Sequence, residues 1–166
     1  MTTVTQVREV LAEVTDPEIP VITIEDLGIL RDVAVDGGHV TVTITPTYSG
    51  CPAMDEIRAD IRTALAEHGW TDVEVRMVLA PAWTTDWMSE AGREKLRAFG
   101  IAPPAARAAG PVPVTLGTVQ LRRPRVTCPQ CGSGDTEELT RFASTSCKAL
   151  WRCRSCREPF DHFKAH

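Results

Sequence analysis

Apolar residues recur with a helical period near the start of the chain. "TQVREVLAEV" sets Val7, Val10, Leu11 and Val14 on one stripe, which predicts a first amphipathic helix. "TDPEIP" ends it, because Pro17 and Pro20 both disfavour helical continuation. The period then drops to two. "ILRDVAVD" starts a strand at Leu30 or Arg31 with Val33 and Val35 on one face, and "HVTVTIT" alternates strictly. Gly37 and Gly38 between them read as a tight turn, so a β-hairpin is predicted over about residues 29–46.

"PAMDEIRADIRTALAEHG" restores the helical period, with Met54, Ile57, Ile61 and Leu65 on one stripe. Pro52 suits its first position and Gly69 its end. "DVEVRMVLA" reads as a third strand. "SEAGREKLRAFG" reads as a short helix, with Ser89 as N-cap, Glu90 in the first turn, Lys95 and Arg97 late and Gly100 as stop. The order α-β-β-α-β-α predicts a small α+β sandwich domain over residues 1–102. "APPAARAAGPVP" is rich in Pro and Ala with little to bury, which predicts a linker over 103–114. Residues 115–166 hold short strand-like pieces between cysteine pairs and are expected to form a zinc ribbon.

Composition adds limits. A hydrophobic content of 43% with 24% charged residues fits a folded globule rather than a disordered chain. The longest apolar stretch, "MVLAPAW", is too short to cross a bilayer, so no membrane partner is expected. The opening "MTTVTQVREV" lacks a basic stretch followed by an apolar core, so no secretory signal is expected. The net charge of −4 conceals an asymmetry. Residues 1–102 carry 8 Lys and Arg against 17 Asp and Glu, while residues 103–166 carry 10 against 5. A basic tail suits nucleic acid, an acidic partner or the acidic first domain of its own chain.

Cysteine spacing is the strongest chemical signal. Cys128-x2-Cys131, then 21 residues, then Cys153-x2-Cys156 is the spacing of a four-thiolate site. Two knuckles of this kind complete a tetrahedron around a structural zinc ion. Iron is the rival metal for the same ligands. With no secretory signal, metal in a reducing cytoplasm is a better reading than disulfides. A small module with so few large apolar residues needs such a staple. Cys147 is left over: a buried small residue, an exchanging ligand or a redox thiol. His162 and His166 read as surface residues, because four thiolates already close the site, and His39 and His68 do so from their places at a hairpin turn and a helix end. Arg122, Arg123 and Arg125, with the arginines of "WRCRSCRE" beside Trp151, suit phosphate binding and base stacking. Basic residues also offset the charge of a four-thiolate site, and nucleic acid is the lesser expectation.

Cys51 is the sole cysteine of the first 127 residues and lies in "TPTYSGCPAMDEI". It precedes Pro52 at the start of a helix, where free amides favour a thiolate. Asp55 and Glu56 oppose that, so local chemistry leaves packing and reactivity both open. Asp16 and Glu18 flank Pro17 as caps, or as carboxylates brought near Cys51 by the hairpin. Trp83 and Trp87 are either core or a partner-facing surface.

"DPEIP", "DLGIL" and "TPTYSGCPAM", in that order on an α-β-β-α frame, resemble the iron–sulfur assembly factors related to SufT and the cytosolic targeting-complex subunit. "PAWTTDWMSEAGREKLRAFGIAPP" and the closing cysteine-rich segment extend the likeness to the whole chain, which resembles the PaaD (PaaJ) family of the bacterial phenylacetyl-CoA epoxygenase system. That system makes a ring 1,2-epoxide with a di-iron oxygenase and an iron–sulfur reductase. The resemblance implies a cytoplasmic, non-catalytic accessory protein of aromatic catabolism that assists iron–sulfur or metal-centre assembly in a partner subunit. It also implies that Cys51, with Asp16 and Glu18, handles iron or a cluster transiently. Implied partners are the other proteins of the system, above all the iron–sulfur reductase subunit, together with iron–sulfur assembly machinery. A homodimer that joins two thiols is open. The alternatives are a structural or electron-transfer subunit, and a nucleic-acid-binding ribbon. No "GxxxxGK[ST]" loop or "HExxH" helix supports an independent enzyme.

Overall fold

The computed structural model describes residues 3–105 and 125–164. Most of the expected linker, the start of the expected ribbon, Arg122, Arg123 and His166 lie outside the described residues. The chain divides into two compact units, Met1–Phe99 and Gly100–Ala165.

The first unit is α+β, in the order expected. Helix α1 (Val4–Leu11) opens with a capping box between Thr3 and Gln6 and buries Val7 and Leu11. Strands β1 (Leu30–Asp36) and β2 (His39–Ile44) form an antiparallel hairpin. Gly37 and Gly38 turn it at φ of 56° and 98°, a geometry open to glycine. Helix α2 (Ala53–Glu67) crosses over to β3 (Val73–Met77), which lies parallel to β2. Pro52 stands one position earlier than predicted, at the cap. Gly69 follows the helix end at φ 87°. Helix α3 (Glu90–Ala98) follows a 3-10 turn at Thr85–Trp87, and the Ser89 hydroxyl caps it by accepting from Gly92 N–H. The sheet order is β1-β2-β3. Its buried face carries Val40, Val42, Ile44 and Val75, and the core continues through Met54, Ile57, Ile61 and Leu65 of α2.

Two features differ from simple periodicity. A bulge between Leu30 and Asp32 brings Leu30 and Val33 to the buried side, while Val35 is only half-buried. The stretch between α1 and β1 is a packed loop, with Ile19, Ile22, Ile24, Leu27 and Ile29 all buried. A bridge between Thr15 and Thr23 closes it, and Asp16 N–H donates to Ile22 C=O at 2.9 Å.

The second unit is a β module. Strand β4 (Ile101–Ala102) pairs parallel with β7 (Pro159–Phe163), followed by β6 (Lys148–Cys153) and β5 (Thr136–Thr140), giving the order β4-β7-β6-β5. Ile101 and Ala102 therefore belong to this sheet, although the sequence reading assigns them to the end of the first domain. Its core gathers Ala102, Val126, Cys128, Ala149, Trp151, Cys153 and Phe160. His162 corrects an expectation: it is buried, not at the surface. Its strand position turns it inward, where its ring meets Trp151 edge-on at 5.7 Å. Burial lowers its pKa to about 4, so the imidazole is neutral.

Candidate functional site

The four-thiol cluster is built by two matching turns. In the first, Cys128 C=O accepts from Gly132 N–H at 2.9 Å, and Gly132 takes φ 74°. In the second, Cys156 N–H points at Cys153 Sγ at 3.5 Å, and Arg157 takes φ 67°. The residue after each second cysteine is thus left-handed in both turns, which curls the chain around the sulfurs. The four Sγ atoms lie within 4.8 Å of one another. Cys128–Cys156 is 3.7 Å and Cys131–Cys153 is 3.6 Å. A tetrahedral ion with metal–sulfur bonds of about 2.3 Å requires edges of about 3.8 Å, so the donor set fits such an ion.

The thiol electrostatics agree. The backbone N–H of Cys156 lowers the Cys153 thiol to about 6, aided by Ser155. The N–H of Glu158 also favours the Cys156 thiolate, but burial and the three neighbouring thiols outweigh it and push Cys156 to about 12. One thiolate makes the next harder to form, so a cation is what allows four. Beside the cluster, Glu137 holds both Arg152 and Arg154 in ion pairs. These guanidiniums are thus engaged in ion pairs with a carboxylate of β5.

Cys147 lies outside this cluster. It is buried, with its Sγ 3.1 Å from Thr145 Oγ1. Of the readings left open for it, this environment fits a packed small residue. Lys148, also buried, reaches Asp161 at 3.4 Å. Sequence spacing carries no sign of that cross-strand pair, because its partners meet only once β6 and β7 are registered.

Cys51 occupies a different setting. Its N–H donates to Tyr48 C=O at 3.1 Å, and its own C=O accepts from Met54 N–H at 3.4 Å. The residue is half-buried at the turn that leads into α2. Asp16 is buried, and its Oδ1 accepts from the N–H groups of Glu18 at 2.8 Å and Ile19 at 2.9 Å. The carboxylate thus shapes the "DPEIP" loop from within. Among the described residues, Cys51, Asp16 and Glu18 belong to no three-ligand group of the kind the four ribbon thiols form.

The "DLG" segment proves architectural. Gly28 has φ 73°, and a Cβ there would lie 2.6 Å from Trp87 Cβ and from Trp87 O. Asp26 accepts from Ser89 Oγ at 2.6 Å and pairs with Lys95, binding the loop to α3. Burial raises the Asp26 pKa, but the bonds from Lys95 and Ser89 more than offset this and hold it below the usual value. Trp83 is 5% exposed, and its indole N–H donates to Leu27 C=O at 2.9 Å. That burial fits the core reading. Trp87 is half-buried and stacks under the Arg31 guanidinium at 3.5 Å.

The fold and site define an iron–sulfur-assembly-type α+β domain followed by a four-cysteine β ribbon. Residues 5–77 match the family described as "Iron-sulfur cluster assembly protein", and residues 114–164 match the "PaaD zinc beta ribbon domain". The chain is 48% identical over 163 residues to an Escherichia coli (strain K12) protein assigned to the 1,2-phenylacetyl-CoA epoxidase as one of its subunits, covering 96% of this chain and 93% of that one. It therefore belongs to the PaaD family of phenylacetyl-CoA epoxidase subunits. It is also 44% identical over 78 residues to the Fe-S protein maturation auxiliary factor SufT of Staphylococcus aureus (strain USA300), covering 46% of this chain and 88% of that protein. Among solved structures, a domain of unknown function from Bacillus anthracis superposes with a TM-score of 0.53 at 29% identity, covering 56% of this chain and 90% of that one. No described helix is long and apolar enough to cross a membrane.

Proposed function

We propose that this protein is a non-catalytic maturation factor of the phenylacetyl-CoA epoxidase system. It receives iron or an iron–sulfur cluster through Cys51 and delivers it to a partner subunit, above all the iron–sulfur reductase. The observation that carries this reading is the division of the thiols. Four are committed to one another in the ribbon, whereas Cys51, half-buried at a turn, is the one thiol of the unit that matches an assembly-protein family. A single thiolate holds a metal weakly and can release it, which suits a carrier. Asp16 acts as a positioning residue that holds the loop bearing Glu18. The four ribbon thiols hold structural zinc, which stabilises that module and leaves cluster chemistry to Cys51.

The test is to produce the reductase partner with this protein, without it, and with Cys51→Ala. Iron and sulfide per reductase chain are then measured beside reconstituted epoxidase activity. The expected result is that Cys51→Ala lowers cluster content to the level found without the protein while keeping its own zinc. A full, active cluster in either deficient sample would overturn the carrier role. Zinc analysis and a visible spectrum of the pure protein check the ribbon: about one zinc per chain and no thiolate–iron absorption are expected.

A further inference from the structure

Strand β3 forms one edge of its sheet, and among the described residues nothing pairs with its outer side. The backbone parity of that edge is fixed by two bonds. Val40 N–H donates to Asp72 C=O, and Val78 N–H donates to Ile44 C=O, both at 2.9 Å. The register between β2 and β3 is continuous from Val40–Val73 to Ile44–Met77. Even-numbered residues of β3 therefore turn their backbone groups toward β2. Val73, Val75 and Met77 turn theirs outward.

The five residues read Val-Glu-Val-Arg-Met. Reversed about Val75, this strand is complementary to itself. An antiparallel copy sets Val75 opposite the partner's Val75, Glu74 opposite the partner's Arg76, and Val73 opposite the partner's Met77. The outward-pointing residues then fall on the hydrogen-bonded pairs. Glu74 and Arg76 fall on the non-bonded pair, where side chains approach more closely. Glu74 already pairs with its own Arg76 at 2.7 Å, so the second copy turns one ion pair into a four-charge network. Met77 and Leu79, 47% and 58% exposed, give the same edge apolar surface to cover.

We propose that β3 is a homodimerisation edge that joins two copies about a two-fold axis at Val75 into one six-stranded sheet. An isologous interface needs a self-complementary patch, and this strand is one. The segment carrying Cys51 follows Ile44, which pairs with Met77. The dimer thus sets the two Cys51 turns at opposite ends of the joined sheet. Where Cys51 acts as proposed above, each copy offers one thiolate and the client supplies the other ligands. A five-residue edge buries less than a standard interface, so the dimer is concentration-dependent.

The experiment is sedimentation of the full chain across concentration, with amide exchange read residue by residue. The wild type is expected to dimerise, with Val73, Val75 and Met77 amides protected in proportion to dimer. Glu74→Arg and Arg76→Glu each set like charges opposite one another and should weaken dimerisation roughly tenfold or more. The double substitution Glu74→Arg with Arg76→Glu restores opposite charges and should restore the dimer. A wild type monomeric up to about 1 mM would overturn the proposal. So would single substitutions without effect, which would point to another surface, or folded double variants that stay monomeric. If a single variant misfolds, unprotected odd-numbered β3 amides in a wild-type dimer would overturn it equally.

Discussion

Among the described glycines, Gly28 has the least room for a side chain. Its φ of 73° disfavours any side chain, and the Trp87 backbone fills the space where a Cβ would go. The left-handed conformation alone costs a side chain about 1–2 kcal/mol, and the collision adds an overpacking term of similar size. Gly28→Ala is therefore expected to lose about 3 kcal/mol of stability in urea unfolding, a loss Gly38→Ala should not match because nothing lies near its Cβ position. His162 gives a second prediction at this scale. It is neutral when folded because burial depresses its pKa from 6.5 to about 4. The unfolded chain thus takes up the proton first. The contribution is whole above pH 6.5 and is lost as pH falls toward 4, to an extent of about 3 kcal/mol. Unfolding curves of wild type and His162→Phe, compared at each pH, isolate it. A wild type no more acid-sensitive than the variant would overturn it.

Helix α3 shows how an element is fixed by a few polar atoms. Its Ser89 hydroxyl accepts from Gly92 N–H and donates to Asp26, whose backbone C=O accepts from Ser89 N–H at 2.8 Å. Ser89→Ala removes the cap and one partner of a half-buried carboxylate, so a loss of about 1–2 kcal/mol is expected in thermal or denaturant unfolding. Helix positions were legible because apolar period, Ser89 and the terminal glycines agree at each level. The ribbon ligands were legible because cysteine spacing encodes the knuckles directly. Other features required pairing between distant segments. The Leu30 bulge depends on register with β2, the two residues of β4 depend on β7, and the inward turn of His162 depends on β6. The buried isoleucines between α1 and β1 follow no period because a loop packed on a core has none. Cys51 was legible as a turn residue, but that it joins no three-ligand group among the described residues is a property of three dimensions.

For the molecule as a whole, the two units rest on different physics. The first has a core of aliphatic side chains drawn from helices and sheet. The second gathers a small cluster in which Cys128 and Cys153 are themselves core residues. Backbone N–H groups favour the Cys153 thiolate, while burial and the neighbouring thiols disfavour that of Cys156, so a cation is what lets the four sulfurs act together. Metal binding in such a module is folding free energy, of order 10 kcal/mol or more at neutral pH. Where the ribbon holds zinc as proposed, removing it with a chelator should abolish the dispersed amide signals of residues 125–164 and leave the helical signals of α1, α2 and α3 in place. Apparent zinc affinity should also fall as pH drops below neutrality, because binding must displace thiol protons. Retention of the β5, β6 and β7 signals after verified loss of the metal would show that the aromatic and aliphatic cluster folds unaided. Collapse of both units together would show that the first depends on the ribbon for its stability.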